Sequence, residues 1–470
     1  MSVSVINSAQ MREWERATWA SSQTEAEVIR RVGKRVARRA RRLTRSDDLI
    51  LILAGKGNNG ADARASREFL DGRKIELLEI AAPENFLPAF ETALAQKPAL
   101  IIDGLFGIGL NRPLDIGWIK LIQRVNESKI PILAIDVPSG LNADTGEHFG
   151  AAIEAKITLT VGAPKIGMLA QSAWPFVGRL EVAEDVGLVS CPVKTELNWT
   201  QPEDFQDFPP RRAVAGNKGT FGHLAVVAGS FGFHGSSLLA TRAAQRAQPG
   251  LVTLFAQEKI YPVVASQLQA AMVSVWEPEM QFTESTSAIL IGCGLAATDL
   301  PAEMKIFTRR LWSESELPVI VDATALDWLP AGEFSKDAIR VITPHPGEAA
   351  HLLKTMAQNV QANRVQSLRE ISRRLGNSWV VLKGHQTLIG RAEGEIFVNP
   401  SGNPHLVQGG SGDVLAGFIA GLLAQPPLQA DVAQTIRYAV WQHGNAADGL
   451  QAARANWVVE DLVDEIGNVR

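Results

Sequence analysis

Leu49-Ile50-Leu51-Ile52-Leu53-Ala54 runs directly into Gly55-Lys56-Gly57-Asn58-Asn59-Gly60-Ala61-Asp62, and a helical pattern starts near Ala63. Six apolar residues in a row are what a strand covered on both faces requires, which is the condition of a parallel sheet. The glycines that follow keep the spacing G-x-G-x-x-G, which lets the backbone turn sharply and leaves the N–H groups of a helix start open to an anion. Taken literally, with Glu76 and Glu79 at about the distance of a ribose contact, this is a dinucleotide-binding turn. A purely structural glycine turn accounts for the spacing nearly as well. Asn58 and Asn59 add amide carbonyls and donors, which suit a polyhydroxyl or phosphate ligand or a bound cation.

Outward from this stretch the same alternation of strand and helix continues. Further strands are expected at 74–80, 99–103, 130–136, Ile157–Val161 and Arg179–Ala183. The periodicity fails in the polar stretch 198–210 and restarts at 223–228, 251–255, Ala288–Ile291, 319–322, 340–343 and 379–383, with long helices near 413–424 and 431–450. Alternation of this kind builds three-layer αβα domains, whose ligands bind beyond the carboxyl ends of the strands. Two such domains are expected, at 1–205 and 211–470.

The chain has 470 residues, 46% hydrophobic and 20% charged, with a net charge of −4. That balance is ordinary for globular domains and gives no overall field to attract nucleic acid or an acidic membrane. Cys191 and Cys293 lack metal-ligand spacing, and Arg12, Glu13, Glu15 and Arg16 stand where a signal peptide needs an apolar core. A cytoplasmic chain without disulfides or membrane spans is expected. Nine Lys and Arg residues between Arg30 and Arg45 are interleaved with Ile29, Val32, Val36, Ala40 and Leu43. They are read as the solvated face of an amphipathic helix in preference to a nucleic-acid patch.

Two strand-end carboxylates accompany the first glycine loop: Asp103, followed by Gly104-Leu105-Phe106-Gly107-Ile108-Gly109-Leu110, and Asp136, followed by Val137-Pro138-Ser139-Gly140. In a parallel sheet these loops fall on one edge and converge on one pocket. In the second half, Gly409-Gly410-Ser411-Gly412-Asp413 opens an apolar helix, so unpaired N–H groups and the helix dipole face an anion, and Asp413 in the first turn is a candidate general base. The bland alternative is a glycine turn with Asp413 as a helix-start residue. Lys218-Gly219, Gly229-Ser230, strand-end Asp322, Thr343-Pro344-His345-Pro346-Gly347-Glu348, Lys383-Gly384 and Gly402-Asn403-Pro404 complete the set. Glycine loops with a strand-end lysine suit nucleotide phosphates, and no Walker A pattern is present. The prolines around His345 fit a rigid turn, and a chemical role for His345 stays open. His351 and His443 are expected on helix faces.

The three loops of the first half resemble the signature loops of the NAD(P)H-hydrate epimerase family over roughly residues 1 to 200. The resemblance implies that Asn58, Asn59, Gly60, Ala61 and Asp62, together with Gly107, Ile108, Gly109, Leu110, Asn111, Arg112, Pro113 and Asp136, bind the hydrated nucleotide. It also implies K⁺ coordination by Asn59, Asp103 and Ser139. Ala61 and Ala63 replace family glycines, and Arg30 replaces an acidic residue.

From about Gly216 onward the chain is similar to ADP- or ATP-dependent NAD(P)H-hydrate dehydratases, which have a ribokinase-like fold, beside a Rossmann-like first domain. This implies ADP (or ATP) at Lys383, Gly384, His385, Gln386, Thr387, Asn403, Gly409, Gly410, Ser411 and Gly412, with Mg²⁺. Gly294, Pro344, His345, Pro346, Gly347, Glu348 and Asp413 would face the hydrate. Cys293 and Ala296 stand in a Gly-Pro-Gly-Leu-Gly segment, Thr324 where an acidic residue is common, and Gln408 in place of a threonine.

The expected function is repair of hydrated NADH and NADPH (NAD(P)HX): epimerisation of the R and S forms, and ADP-dependent dehydration of the S form to NAD(P)H, AMP and phosphate. Asp413 would take the hydroxyl proton, the glycine amides would hold the transferring phosphoryl group, and phosphate would then leave. The expected partners are NAD(P)HX and ADP as small molecules, without nucleic acid or membrane, in a homo-oligomer. Alternatives are a small-molecule kinase of the ribokinase superfamily with a non-catalytic nucleotide-binding first domain, and a nicotinamide-dependent oxidoreductase.

Overall fold

The computed structural model describes residues 2–83, 86–212, 214–334 and 338–468. The chain forms two compact units, one of Val3–Glu196 and one from Leu197 onward.

In the first unit the strands are β1 (Leu49–Ala54), β2 (Lys74–Glu79), β3 (Leu100–Gly104), β4 (Ile132–Ile135), β5 (Ile157–Val161) and β6 (Arg179–Ala183). They form one parallel sheet in the order β2-β1-β3-β4-β5-β6. Side chains alternate along β1, so Ile50, Ile52 and Ala54 pack with Val32, Val36 and Ala37 on one face, while Leu51 and Leu53 pack with Phe90, Leu121 and Ile122 on the other. The order reverses between β1 and β3, the place where open sheets of this kind bind ligands. Asp136 lies just past β4, not within it, in a left-handed conformation with φ 64°.

The basic segment is the helix Glu25–Leu43, with Val28, Val32, Val36, Ala37 and Ala40 buried. Its outer face is partly neutralised: Arg30 pairs with Glu68, Arg35 with Asp185 and Arg39 with Glu181. The solvated-face reading therefore accounts for it. Arg30 also stacks on Phe69, with its guanidinium carbon 5.1 Å from the ring centre.

In the second unit the strands are β7 (Leu197–Trp199), β8 (His223–Val227), β9 (Leu251–Ala256), β10 (Met272–Val275), β11 (Ala288–Ile291), β12 (Val319–Val321), β13 (Arg340–Ile342), β14 (Trp379–Leu382), β15 (Leu388–Gly390) and β16 (Ile396–Val398). Their order is β7-β16-β15-β14-β13-β12-β11-β8-β9-β10, with β15 antiparallel to both neighbours. The reversal here falls between β8 and β11. Leu197–Trp199 pairs in parallel with Ile396–Val398, so the polar stretch in which the sequence places the boundary already belongs to the second unit. The additional strands β7, β10, β15 and β16 are only three or four residues long, too short for a period to show.

The helix Ser411–Leu423 is buried from Val414 to Leu423 and crosses the helix His234–Arg246 at close range. A Cβ at Gly417 would fall 2.1 Å from the Ala240 carbonyl oxygen, and one at Gly421 would fall 2.5 Å from that of Ala244. Only glycine permits this approach. Cys191 and Cys293 are free thiols, and no helix of the described residues is long and apolar enough to cross a membrane.

Candidate active sites

Past the carboxyl ends of β8, β11, β12, β13 and β14, the second unit gathers a set of polar groups over the start of the helix Ser411–Leu423. That helix start carries no side-chain cap, and Gly410 precedes it with φ 98°. Among the described residues the amides of Gly410, Gly412 and Asp413 donate to no backbone carbonyl. Gly409 is exposed, and Gly412 and Asp413 are half-buried, so the amides open to solvent. Open amides of this kind are what an anion cradle requires.

Asp413, Asp322 and Cys293 each bring a ligand-type atom within 4.8 Å of the others. The Asp413 carboxyl is pushed up to about 6, by burial first and then by Asp322, against hydrogen bonds from Ser236 and Cys293 and the charge of Lys383. Lys383 Nζ donates to Asp322 Oδ1 at 3.0 Å, and the Thr343 hydroxyl donates to the same oxygen at 2.5 Å. Burial opposes the charged form of Lys383, but Asp322 and Glu348 outweigh it and raise its pKa. A Cβ at Gly412 would be 3.3 Å from Lys383 Nζ, so the missing side chain keeps cation and amides side by side. Lysine, amides and a half-buried carboxyl poised near neutrality are what phosphoryl transfer to an alcohol uses.

The nucleotide candidates lie around this point. Arg364 donates to the carbonyls of Leu382, His385 and Gln386, which fixes the 383–387 loop; Gln386 is buried with φ 54°, and Thr387 Oγ1 closes the loop onto the Gly384 carbonyl at 3.0 Å. Asn403 Nδ2 donates to Asp448. His345 is a helix cap: its Nδ1 accepts from the amides of Gly347 and Glu348, and Glu348 Oε2 accepts from the His345 amide at 2.7 Å. The turn reading therefore accounts for His345, Pro344 and Pro346. Gly294, with φ 67°, is tied across the reversal by Ser230 Oγ donating to its carbonyl at 2.7 Å.

The Lys218-Gly219 segment is placed elsewhere. It precedes β8, and its backbone packs on Gly250 ahead of β9, at the amino ends of the strands. Gln408 turns onto its own loop, its side-chain amide donating to the carbonyls of His405 and Trp457. Sequence reasoning missed His443: it lies on the helix Val432–Ala453 as expected, but it is buried with Nε2 at 3.0 Å from the Ser411 carbonyl. A lone histidine on an apolar helix gave no signal of that contact. Ser236 was missed as well.

In the first unit the three glycine and carboxylate loops meet. Ser139 donates to Asp103 through both its amide (2.9 Å) and its hydroxyl (2.6 Å), and Phe106 N donates to Ser139 Oγ at 2.8 Å. Asn59 Nδ2 donates to the Phe106 carbonyl at 2.7 Å, and its buried Oδ1 has no hydrogen-bond partner. Burial pushes Asp103 up to about 6 despite hydrogen bonds from Ser139 and Leu105. Glycine is required along this seam: a Cβ at Gly60 would be 1.9 Å from the Gly55 carbonyl oxygen, and one at Gly55 would be 2.1 Å from that of Leu105.

Asp136 pairs with a residue the sequence reading passed over, fully buried Lys165, at 2.5 Å. The available signal was Lys165 itself, following β5 and Gly162-Ala163-Pro164 on the same sheet edge. Asp62 is buried, and Asn58 Nδ2 donates to Glu25 at 2.7 Å. Gly107 and Ile108 are half-buried, whereas Gly109, Asn111, Arg112 and Pro113 form the exposed part of their loop, with Leu110 between.

Fold and sites define a protein of two α/β units, each gathering polar loops at a strand-order reversal, the second with a lysine, carboxylates and open helix-start amides. Residues 224–468 match the NAD(P)H-hydrate dehydratase family, and residues 74–167 match the family described as YjeF-related protein N-terminus. The chain is 32% identical over 466 residues to a bifunctional NAD(P)H-hydrate repair enzyme of Coxiella burnetii, covering 93% of each chain. It is 34% identical over 377 residues to that of Vibrio cholerae, covering 78% of this chain and 72% of the other. It belongs to the family of bifunctional NAD(P)H-hydrate repair enzymes. Among solved structures, a ribokinase-like superfamily protein of Enterococcus faecalis is 24% identical with a TM-score of 0.51, covering 59% of this chain and 96% of that one, which shows the fold. An ADP/ATP-dependent NAD(P)H-hydrate dehydratase of Bacillus subtilis, co-crystallised with ATP/Mg²⁺, is 29% identical with a TM-score of 0.49, covering 55% and 92%.

Proposed function

We propose that this chain restores hydrated NADH and NADPH, its second unit removing water from the S-hydrate at the expense of ADP and its first unit interconverting the two epimers. The observation that carries the reading is the poised Asp413 carboxyl beside open helix-start amides and the Lys383–Asp322 pair. The hydrate bears its hydroxyl on the carbon next to the ring nitrogen. Asp413 takes the hydroxyl proton, and the oxygen attacks the terminal phosphoryl group of ADP held on the Gly409 to Gly412 amides. Lys383 offsets charge on that group. AMP departs; the nitrogen lone pair then expels phosphate, and loss of the neighbouring proton restores the dihydronicotinamide. Products are NAD(P)H, AMP and phosphate.

Two groups beyond the chain fit. Glu348 and Asp322 are hard oxygen donors of the kind Mg²⁺ takes alongside phosphates and water, where it would neutralise phosphate charge. In the first unit, the unpartnered Asn59 Oδ1, with Asp103 and Ser139, suits K⁺, which would organise the loop. A homo-oligomer and a cytoplasmic setting also belong to this reading.

The test is recovery of the nicotinamide absorbance when purified S-hydrate is incubated with the chain, Mg²⁺ and ADP. A stable phosphate ester accumulating in place of NADH would favour the kinase alternative.

A further inference from the structure

Five elements bring charged groups to one place in the first unit: Glu15 on the helix Ser8–Trp19, Glu25 on the helix Glu25–Leu43, Asp62 on the helix Asn58–Ser66, Asp136 past β4 and Lys165 past β5. Their hydrogen bonding is unequal. Asp136 Oδ1 accepts from Lys165 Nζ at 2.5 Å, from Val161 N at 3.1 Å and from Thr160 Oγ1 at 3.3 Å. The Lys165 ammonium spends its other hydrogens on Thr160 Oγ1 at 3.0 Å and the Val161 carbonyl at 2.9 Å. With three donors and three acceptors, Lys165 has nothing left for a substrate. All three of its hydrogens are held by this chain, one of them by Asp136.

Asp136 Oδ2 points the other way. A Cβ at Gly107 would lie 3.8 Å from it and 3.4 Å from the Asn59 Cβ, so this oxygen faces the loop that follows β3, next to Asn59. The left-handed backbone at Asp136 is a costly conformation for a non-glycine residue, which fits a side chain aimed by function.

Asp62 has the opposite surroundings. Burial, followed by the charges of Asp136, Glu15 and Glu25, pushes its carboxyl well above the usual range. Glu15 is raised too, by burial and then Asp136, with Lys165 and Arg12 opposing. Asp62 follows β1 and Asp136 follows β4, so they flank the loop that follows β3.

Inversion at the hydroxyl-bearing carbon needs one group to give a proton and another to take one. We propose that Asp62 is the acid and Asp136 the base of the epimerase, with Lys165 as the positioning residue of Asp136. This rests on the epimerase reading of the first unit. Asp62 gives its proton to the hydroxyl oxygen; the carbon–oxygen bond breaks, water leaves, and the ring-nitrogen lone pair forms a carbon–nitrogen double bond. A water adds to that carbon from the other face, the electron pair returns to nitrogen, and the water's proton goes to Asp136. One proton has moved from Asp62 to Asp136, and solvent returns it. The reverse epimerisation runs the same steps with the roles exchanged.

The test uses the full chain and purified R-hydrate of NADH without nucleotide, following the appearance of the S-hydrate by chiral chromatography. Asp62→Asn and Asp136→Asn should each slow exchange at least 100-fold, and the double variant should be about as slow as either single one. Lys165→Met should lower kcat at least 10-fold with KM within threefold, the split expected when only aim is lost. An unfolding transition of the first unit at the wild-type temperature, read by calorimetry on each full-length variant, reports that the mutated unit is folded. If wild type exchanges the epimers and Asp62→Asn does so at the same rate, the acid assignment is overturned. A Lys165→Met chain that raises KM alone overturns the positioning role. Absence of exchange by wild type would overturn the epimerase reading itself.

Discussion

Lys383 Nζ and Asp322 Oδ1 lie 3.0 Å apart, beside the helix start that holds Asp413, and Asp322 acts on both of its neighbours. It fixes the cation and raises the base. Replacing Asp322 by Asn should therefore have two readouts. Dehydratase kcat should fall by about 10- to 100-fold as Lys383 loses its anchor, in keeping with the size of a single charge-positioning effect. The acid limb of the pH–rate profile should move downward, because the negative charge that raises Asp413 is gone. Steady-state kinetics from pH 5 to 8 checks both.

Asp413 must be ionised to accept a proton, and its carboxyl sits at about 6. The raised value means that the base form is lost as pH falls through 6, not through 4. The kcat/KM for S-hydrate should rise tenfold per unit below pH 6 and level off above it. Asp413→Asn should cut kcat by roughly a thousandfold, within the range expected for loss of a general base, with ADP affinity within a few-fold by calorimetry. Full turnover by this variant would remove Asp413 from the mechanism.

Asp103 is buried with its carboxyl raised to about 6. A raised carboxylate stabilises the fold below the unfolded value and loses that contribution as pH rises through 6. Above it the charged form costs on the order of 3 kcal/mol. K⁺ at Asn59, Asp103 and Ser139 would offset that cost. Added KCl, against tetramethylammonium chloride at equal ionic strength, should raise the Tm of the first unit more at pH 7.5 than at pH 5. Equal effects at both would disconnect Asp103 from the cation.

The Gly417 crossing leaves no room for a methyl group. Gly417→Ala gains helix propensity, but it forces the helices Ser411–Leu423 and His234–Arg246 apart. The net change should be a loss of about 1 to 3 kcal/mol, read from urea unfolding of the second unit. An unchanged midpoint would show that the helices shift freely.

Much of this was legible because the chain repeats one physical theme. Runs such as Leu49–Ala54 and Ile157–Val161 have the bounds expected, since strands buried on both faces are apolar throughout. The open helix start at Ser411 was legible because a glycine run ahead of an apolar helix supplies no side chain to cap it. What escaped was whatever depends on a partner distant in sequence. Lys165 is an ordinary lysine until β5 returns it to Asp136, and Lys218-Gly219 looks like a phosphate loop until the strand direction puts it at the wrong end. His345 could not be settled because a cap and a catalyst need the same residue in the same turn.

His443 takes a proton only near pH 4, since burial and the Lys383 charge keep its ring neutral while it is fastened to the Ser411 carbonyl. Imidazole, elsewhere a sensor of acidity, is here a strut. That contact persists through the acidities at which Asp413 changes state, so a pH response of the second unit near 6 reflects the carboxyl and not the loss of this strut.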